Sequence, residues 1–195
     1  MNNLIINSKQ NEILTEVFNA LEFAAYKHRH QKRKGAGEIP YINHPIEVTH
    51  LILRTVVNPA RELIIAALLH DILEDTDTTA DEITEHFGER ALKIVEEVTD
   101  DMELPRKERK KLQVLKVAGL STEAKYIKIA DKACNIKDII NTRLYWTKRA
   151  KVEYIEWACS VVGPIKHIHE GLTNAFLENI KEAETRLNHK FSFTV

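Results

Sequence analysis

ELIIAALLHDILED, residues 62–75, is the stretch that decides the fold. From Leu63 to Leu69 it is apolar all round, which marks a helix surrounded by other helices rather than one lying on a surface. The run then meets His70 and Asp71. An imidazole and a carboxylate are costly to bury without a partner or a metal ion, so this pair is the first candidate for chemistry. Glu74 and Asp75 follow. Residues four apart on a helix share a face, so a continuous helix sets Glu74 beside His70 and Asp75 beside Asp71, ready to position or deprotonate a water.

Helical spacing continues on both sides. Upstream, Ile13, Val17, Ala20, Leu21 and Ala24 predict a first helix from about Asn11 to His30, and Asn43 with Pro45 predicts the cap and first turn of a second. Downstream, Thr79 and Glu82 form a capping-box pattern for a short helix ending near Phe87 and Gly88. Helices are expected over Glu89 to Thr99, from Pro105 to Gly119, from Ser121 or Thr122 onward, from Tyr145 to Val162 and from Thr173 to Asn188. No sustained two-residue alternation and no Asn-Gly or Asp-Gly turn appears. The expectation is an all-α fold of about nine or ten helices, forming one domain over residues 1–195.

The composition agrees: 195 residues, 44% hydrophobic and 29% charged, exclude collagen-like and disordered chains. A net charge of −1 gives no reason to expect nucleic acid or an anionic membrane as partner. The N-terminus lacks the basic-then-apolar layout of a signal peptide, and no run approaches membrane-span length, so a cytoplasmic protein is expected. Cys134 and Cys159 fall inside helical patterns and read as buried, reduced thiols.

Two further residues join the His70–Asp71 pair. His44 sits at the mouth of the second helix, and Asp131 interrupts the apolar pattern of YIKIADKACNI. Two imidazoles and two carboxylates from three helices make a nitrogen and oxygen site for a divalent ion. The absence of thiolates weakens a structural zinc reading, and the donor set suits Mn²⁺. A basic run, HRHQKRK at 28–34, lies close by in sequence. It is either a solvated helix end or, through Arg33 and Lys34, a grip for phosphates. A second basic cluster, Arg106 to Lys111, is spread around its helix, so most of it is expected to face water.

Taken together, YINHPIEV (41–48), AALLHDILEDTDTT (66–79), HFGERALKIVEEVTDD (86–101), LPRKERKKLQV (104–114), KIADKACNIKDI (128–139) and YIEWA (154–158) resemble the HD-domain hydrolases. Within them the chain is similar to the small alarmone hydrolases, including the metazoan SpoT homologs, and to the hydrolase domain of bacterial Rel/Spo enzymes. The resemblance implies that His44, His70, Asp71 and Asp131 hold manganese and that Glu74 and Asp75 act in catalysis. It also implies that Arg33, Lys34, Asn135 and Tyr154 serve the nucleotide, with Lys110 expected to help neutralise the pyrophosphate. The one departure is Cys134, where the family often carries His or Tyr; altered packing rather than lost activity is expected. The implied reaction is hydrolysis of ppGpp or pppGpp to GDP or GTP and pyrophosphate, by a stand-alone hydrolase without a synthetase. Two alternatives remain at this point: the same chemistry on (p)ppApp or the 2′-phosphate of NADPH, or a catalytically silent domain that senses a nucleotide or binds a protein.

Overall fold

The computed structural model describes residues 2–35, 38–141 and 145–193, with side chains from residue 10 onward. Among the described residues there are ten α-helices: α1 Asn2–Lys27, α2 Asn43–Thr55, α3 Arg61–Leu69, α4 Ile72–Asp75, α5 Ala80–Phe87, α6 Glu89–Val98, α7 Arg106–Lys116, α8 Thr122–Asn141, α9 Lys148–Val162 and α10 Glu170–Leu187. Short 3-10 turns follow α7 and α9. Among the described residues there is no strand, only an isolated bridge between Lys32 and Pro40. No helix among them is long and apolar enough to cross a membrane.

Two helices make the centre. Every residue of α3 from Leu63 to Leu69 is buried, and α3 packs against α1, α2, α6 and α8. The second is α8, whose inward residues include Ile127, Ile129, Ala130, Ala133 and Ile136, and which packs on α2, α6, α9 and α10. Cys134 and Cys159 are buried and free, as expected, and Cys134 simply joins the core. The last described residues also pack: Phe191 is buried, and the Phe193 ring lies 5.3 Å from that of Phe176.

The largest difference from the sequence reading is a break in the decisive stretch. Residues 62–75 are not one helix; α3 ends at Leu69 and α4 begins at Ile72. Asp71 sits at φ −102°, ψ 0°, a sparsely used region of backbone space that recurs at active sites. Neighbouring residues on a straight helix point about 100° apart, so His70 and Asp71 could not face one point without this break. Glu74 and Asp75 therefore do not continue the line of α3, although the Asp75 amide still reaches back one turn to the Asp71 carbonyl at 3.0 Å.

Other boundaries moved less. Asn43 is the first helical residue rather than the cap, and Ile42, which precedes it, makes no side-chain cap bond. The α1 helix runs from Asn2 and stops at Lys27, and α10 starts at Glu170, where the His169 ring accepts from the Leu172 amide. The Thr79–Glu82 capping box forms as predicted.

Candidate active site

Three helices deliver the site. The first turn of α2 brings His44, the α3–α4 break brings His70 and Asp71, and the middle of α8 brings Asp131. Ligand-type atoms of His44, His70 and Asp131, all buried, lie within 4.8 Å of one another. His44 Nε2 is 3.1 Å from Asp131 Oδ1 and 3.8 Å from Asp71 Oδ2, while His70 Nε2 is 3.0 Å from Asp71 Oδ2. Asp71 thus adjoins the group and is fixed by the Tyr41 hydroxyl, which donates to Oδ2 at 2.5 Å.

The tautomer of His70 follows from its partner. Its Nδ1 lies 2.8 Å from the carbonyl of Ala67, which can only accept, so Nδ1 donates. Nε2 is buried and turned to the carboxylates, 3.0 Å from Asp71 Oδ2. This is the outer-shell arrangement that orients an imidazole toward a metal ion.

Charge couples these groups. Burial opposes protonation of His70, but the Asp71 carboxylate outweighs it and raises the imidazole to about 9. Burial likewise works against ionised Asp71, and His70 outweighs it, holding that carboxyl well below its ordinary value. For His44 burial wins and the pKa falls, which keeps this ring neutral and free to bind a cation. Asp131 is held ionised against burial by Lys132, whose Nζ lies 2.8 Å from Oδ2. The Asn135 amide donates to the other oxygen of Asp131.

Glu74 and Asp75 separate in role. Glu74 lines both the well of about 140 Å³ that contains His70, Asp71 and Asp131, and the larger cleft outside it. One oxygen accepts from the Asp100 amide at 2.6 Å, and burial pushes the carboxyl up to about 7. Asp75 is exposed, lines only the outer cleft, and accepts from the Gln31 amide at 2.9 Å.

The cleft measures about 310 Å³ and brings together Arg33, Lys34, Asn135 and Tyr154. Arg33 is anchored rather than free: it donates twice to Asp138 Oδ2, at 2.5 and 3.0 Å, and once to Asn135 at 2.9 Å. Burial pushes the Tyr154 phenol up to about 12, so it stays protonated. Lys110 does not line this cleft. It lines an adjoining groove, and Lys34, Arg106, Trp146 and Tyr154 border both spaces. Elsewhere in the first basic run, Arg29 covers the Tyr26 ring at 4.0 Å and Lys32 pairs with Glu38 at 2.7 Å.

Sequence reasoning did not single out Tyr41, Gln31, Arg106, Lys128 or Lys132 as site residues. The signal for Lys128 is its place on the inward face of α8, one turn before Asp131; Lys132, next to Asp131 in the chain, carries none. Lys128 is buried, donates to the Val98 carbonyl at 2.6 Å, and has its pKa lowered by that burial.

Comparison with known proteins agrees with the geometry. The HD domain family pattern matches residues 20–154. The Mus musculus protein named guanosine-3′,5′-bis(diphosphate) 3′-pyrophosphohydrolase MESH1 is 42% identical over 168 residues, covering 86% of this chain and 94% of that protein. The Homo sapiens protein of the same name is 43% identical over 166 residues, with 83% and 93% covered. An Aquifex aeolicus guanosine-3′,5′-bis(diphosphate) 3′-pyrophosphohydrolase is 39% identical over 155 residues, where the match spans 21% of a longer protein. Among solved structures, one described as "A metazoan ortholog of SpoT hydrolyzes ppGpp and plays a role in starvation responses" superposes with a TM-score of 0.82 at 37% identity. It covers 86% of this chain and 94% of that one.

Proposed function

The chain belongs to the HD domain family, and from that membership and its site we propose a divalent-metal-dependent guanosine-3′,5′-bis(diphosphate) 3′-pyrophosphohydrolase. It converts ppGpp and water to GDP and pyrophosphate, and pppGpp to GTP and pyrophosphate. The observation that carries this reading is one arrangement: Glu74, its carboxyl raised by burial, lines a well with His70, Asp71 and Asp131, and with Asp71 also lines the cationic and aromatic cleft next to it.

A divalent ion fits the donors present. His70 turns a buried Nε2 to the carboxylates once its proton leaves, His44 is neutral, and the Asp131 and Asp71 carboxylates supply hard oxygens. We assign His44, His70, Asp71 and Asp131 as the ligands and Mn²⁺ as the ion, since the group has no thiolate and mixes nitrogen with oxygen. An ion held there would supply Lewis-acid polarisation and positive charge to offset that of the phosphates.

The rest is work for side chains. Release of intact pyrophosphate means that the broken bond joins the ribose 3′ oxygen to its phosphorus, and the water oxygen takes its place. Glu74 takes the proton that the water loses, and a proton returns to the departing 3′ oxygen. Glu74 suits this task because it lines the well beside His70 and Asp71 and burial favours its protonated form, so it can take up a proton and give it back. Asp75 stands at the outer edge, where it orients the approach through its bond to Gln31. Arg33, Lys34 and Asn135 face the phosphates, Tyr154 walls the nucleoside side, and Lys110 adds charge from the groove. We place this single-domain enzyme in the cytoplasm, with a small nucleotide as its partner.

The test is pyrophosphate release from ppGpp by protein loaded with Mn²⁺, beside Asp71→Ala, with (p)ppApp and NADPH in parallel. Mn²⁺-dependent release that vanishes in the variant supports the proposal. Turnover of (p)ppApp or NADPH alone keeps the chemistry and replaces the substrate. Metal bound with no turnover of any nucleotide overturns the enzyme reading in favour of a silent, ligand-sensing domain.

A further inference from the structure

Helix α7 carries the basic cluster Arg106 to Lys111 but buries none of its residues completely, so packing alone holds it weakly. Gln113 ties the second half of α7 to Asp100 at 2.8 Å, and a side chain of α9 holds its basic first half. The indole N–H of Trp157, on α9, donates to the carbonyl of Lys110 at 2.9 Å. The same indole receives two ammonium groups: Lys110 Nζ lies 4.4 Å from the ring centroid and Lys132 Nζ 4.5 Å. Tyr154 meets the ring edge-on, with centroids 5.3 Å apart.

The charges around that ring do not balance. Lys132 is paired with Asp131, whereas Lys110 makes no ion pair among the described residues. Two ammonium groups therefore lie against one indole with Asp131 as their one ion-pair partner; Glu153 in the groove offsets part of that charge, and Lys34, Arg106 and Lys107 keep the groove positive. Repulsion from Lys132 would drive the flexible Lys110 into water. The negative face of the indole opposes that, and the bond to the Lys110 backbone fixes where its side chain begins.

We propose that Trp157 is a positioning residue for the hydrolysis, holding α7 and the unpaired ammonium of Lys110 where the anionic groups of the nucleotide enter. This rests on the pyrophosphohydrolase reading above. Trp157 touches no reacting atom, so its effect runs through Lys110 and falls on KM more than on kcat.

A double-mutant cycle tests this with Trp157→Leu, Lys110→Met and the double variant, each checked for helicity by circular dichroism. KM and kcat are measured with ppGpp, and binding of inorganic pyrophosphate is measured by calorimetry on the same Mn²⁺-loaded proteins. Losing the ring is expected to raise KM roughly five- to tenfold, about as much as losing the ammonium, and the double variant should be no worse than Lys110→Met alone. Losses that multiply overturn the proposal, because a tryptophan that merely packs would act independently of Lys110. An unchanged KM in Trp157→Leu, or a wild type that does not bind pyrophosphate, overturns it as well. If Trp157→Leu does not fold, Trp157→Phe keeps a ring without the donor, and its smaller loss, about two- to threefold, should also disappear in the Lys110→Met background. Wild-type protein that binds pyrophosphate but leaves ppGpp intact sinks the substrate assignment, and the calorimetric cycle still decides the role of Trp157.

Discussion

Replacing Glu74 by Gln should make the metal-free protein more stable and the enzyme far slower. Burial lifts the Glu74 carboxyl from an ordinary 4.5 to about 7. A carboxyl that holds its proton more tightly when folded than when unfolded loses stability as the pH rises through that interval. The wild type is therefore unpenalised below about 4.5, and the cost grows until the folded group has ionised. At about 1.4 kcal/mol per pH unit, the interval corresponds to roughly 3 kcal/mol at pH 8. Glutamine keeps a carbonyl oxygen for the Asp100 amide and carries no charge, so it removes that cost. Urea unfolding of chelator-treated wild type and Glu74→Gln at pH 4.5 and pH 8 measures the difference. The gain should be near zero at the lower pH and up to about 3 kcal/mol at the higher. Pyrophosphate release by the Mn²⁺-loaded variant should fall roughly 10²- to 10⁴-fold, the ordinary range for a lost general base. A gain that is the same at both pH values would refute the reasoning, since it would then owe nothing to the carboxylate charge.

Three other outcomes are expected. Below about 9 His70 carries a proton that a metal ion must displace, so Mn²⁺ binding at pH 7.5 should release about one proton and weaken about tenfold for each pH unit lower; calorimetry in two buffers of different ionisation enthalpy reads both. Tyr41→Phe removes the hydroxyl that donates to Asp71, which should lower metal affinity roughly 10- to 100-fold, measured by competition with a chromophoric chelator. Thr79→Ala breaks the capping box of α5 and should cost about 1 kcal/mol in urea unfolding while leaving kcat as in the wild type.

The sequence made the helices legible because their apolar positions recur at helical spacing, and α3 stood out by being apolar all round. Candidate ligands were legible for the converse reason: His70, Asp71 and Asp131 interrupt apolar runs, and an interruption in a core needs a cause. What could not be read is whatever depends on direction in space. The break between α3 and α4 carries no proline or glycine to announce it, only a turn that lets His70 and Asp71 face each other. Lys132 sits next to Asp131 in the chain and looks like an ordinary solvated pair; only the packing of α8 buries it. Lys110 shows the same limit on the surface. A basic side chain in a polar helix gives no hint of which groove it will line, and the structure sets it beside the cleft instead of within it.

The His44 and Asp131 side chains meet across 87 residues of chain, and Tyr41 meets Asp71 across 30. Bringing such distant segments together is a late and entropically costly event in folding, one that the packing of α3 and α8 has to drive. An ion therefore finds no prepared site in the unfolded chain and cannot act as the nucleus around which the helices collect. It arrives as a passenger. The thermal midpoint should climb with the logarithm of Mn²⁺ concentration once the site saturates, while refolding rates stay indifferent to the metal. A chelator, on the same logic, should silence the protein and leave its helices standing.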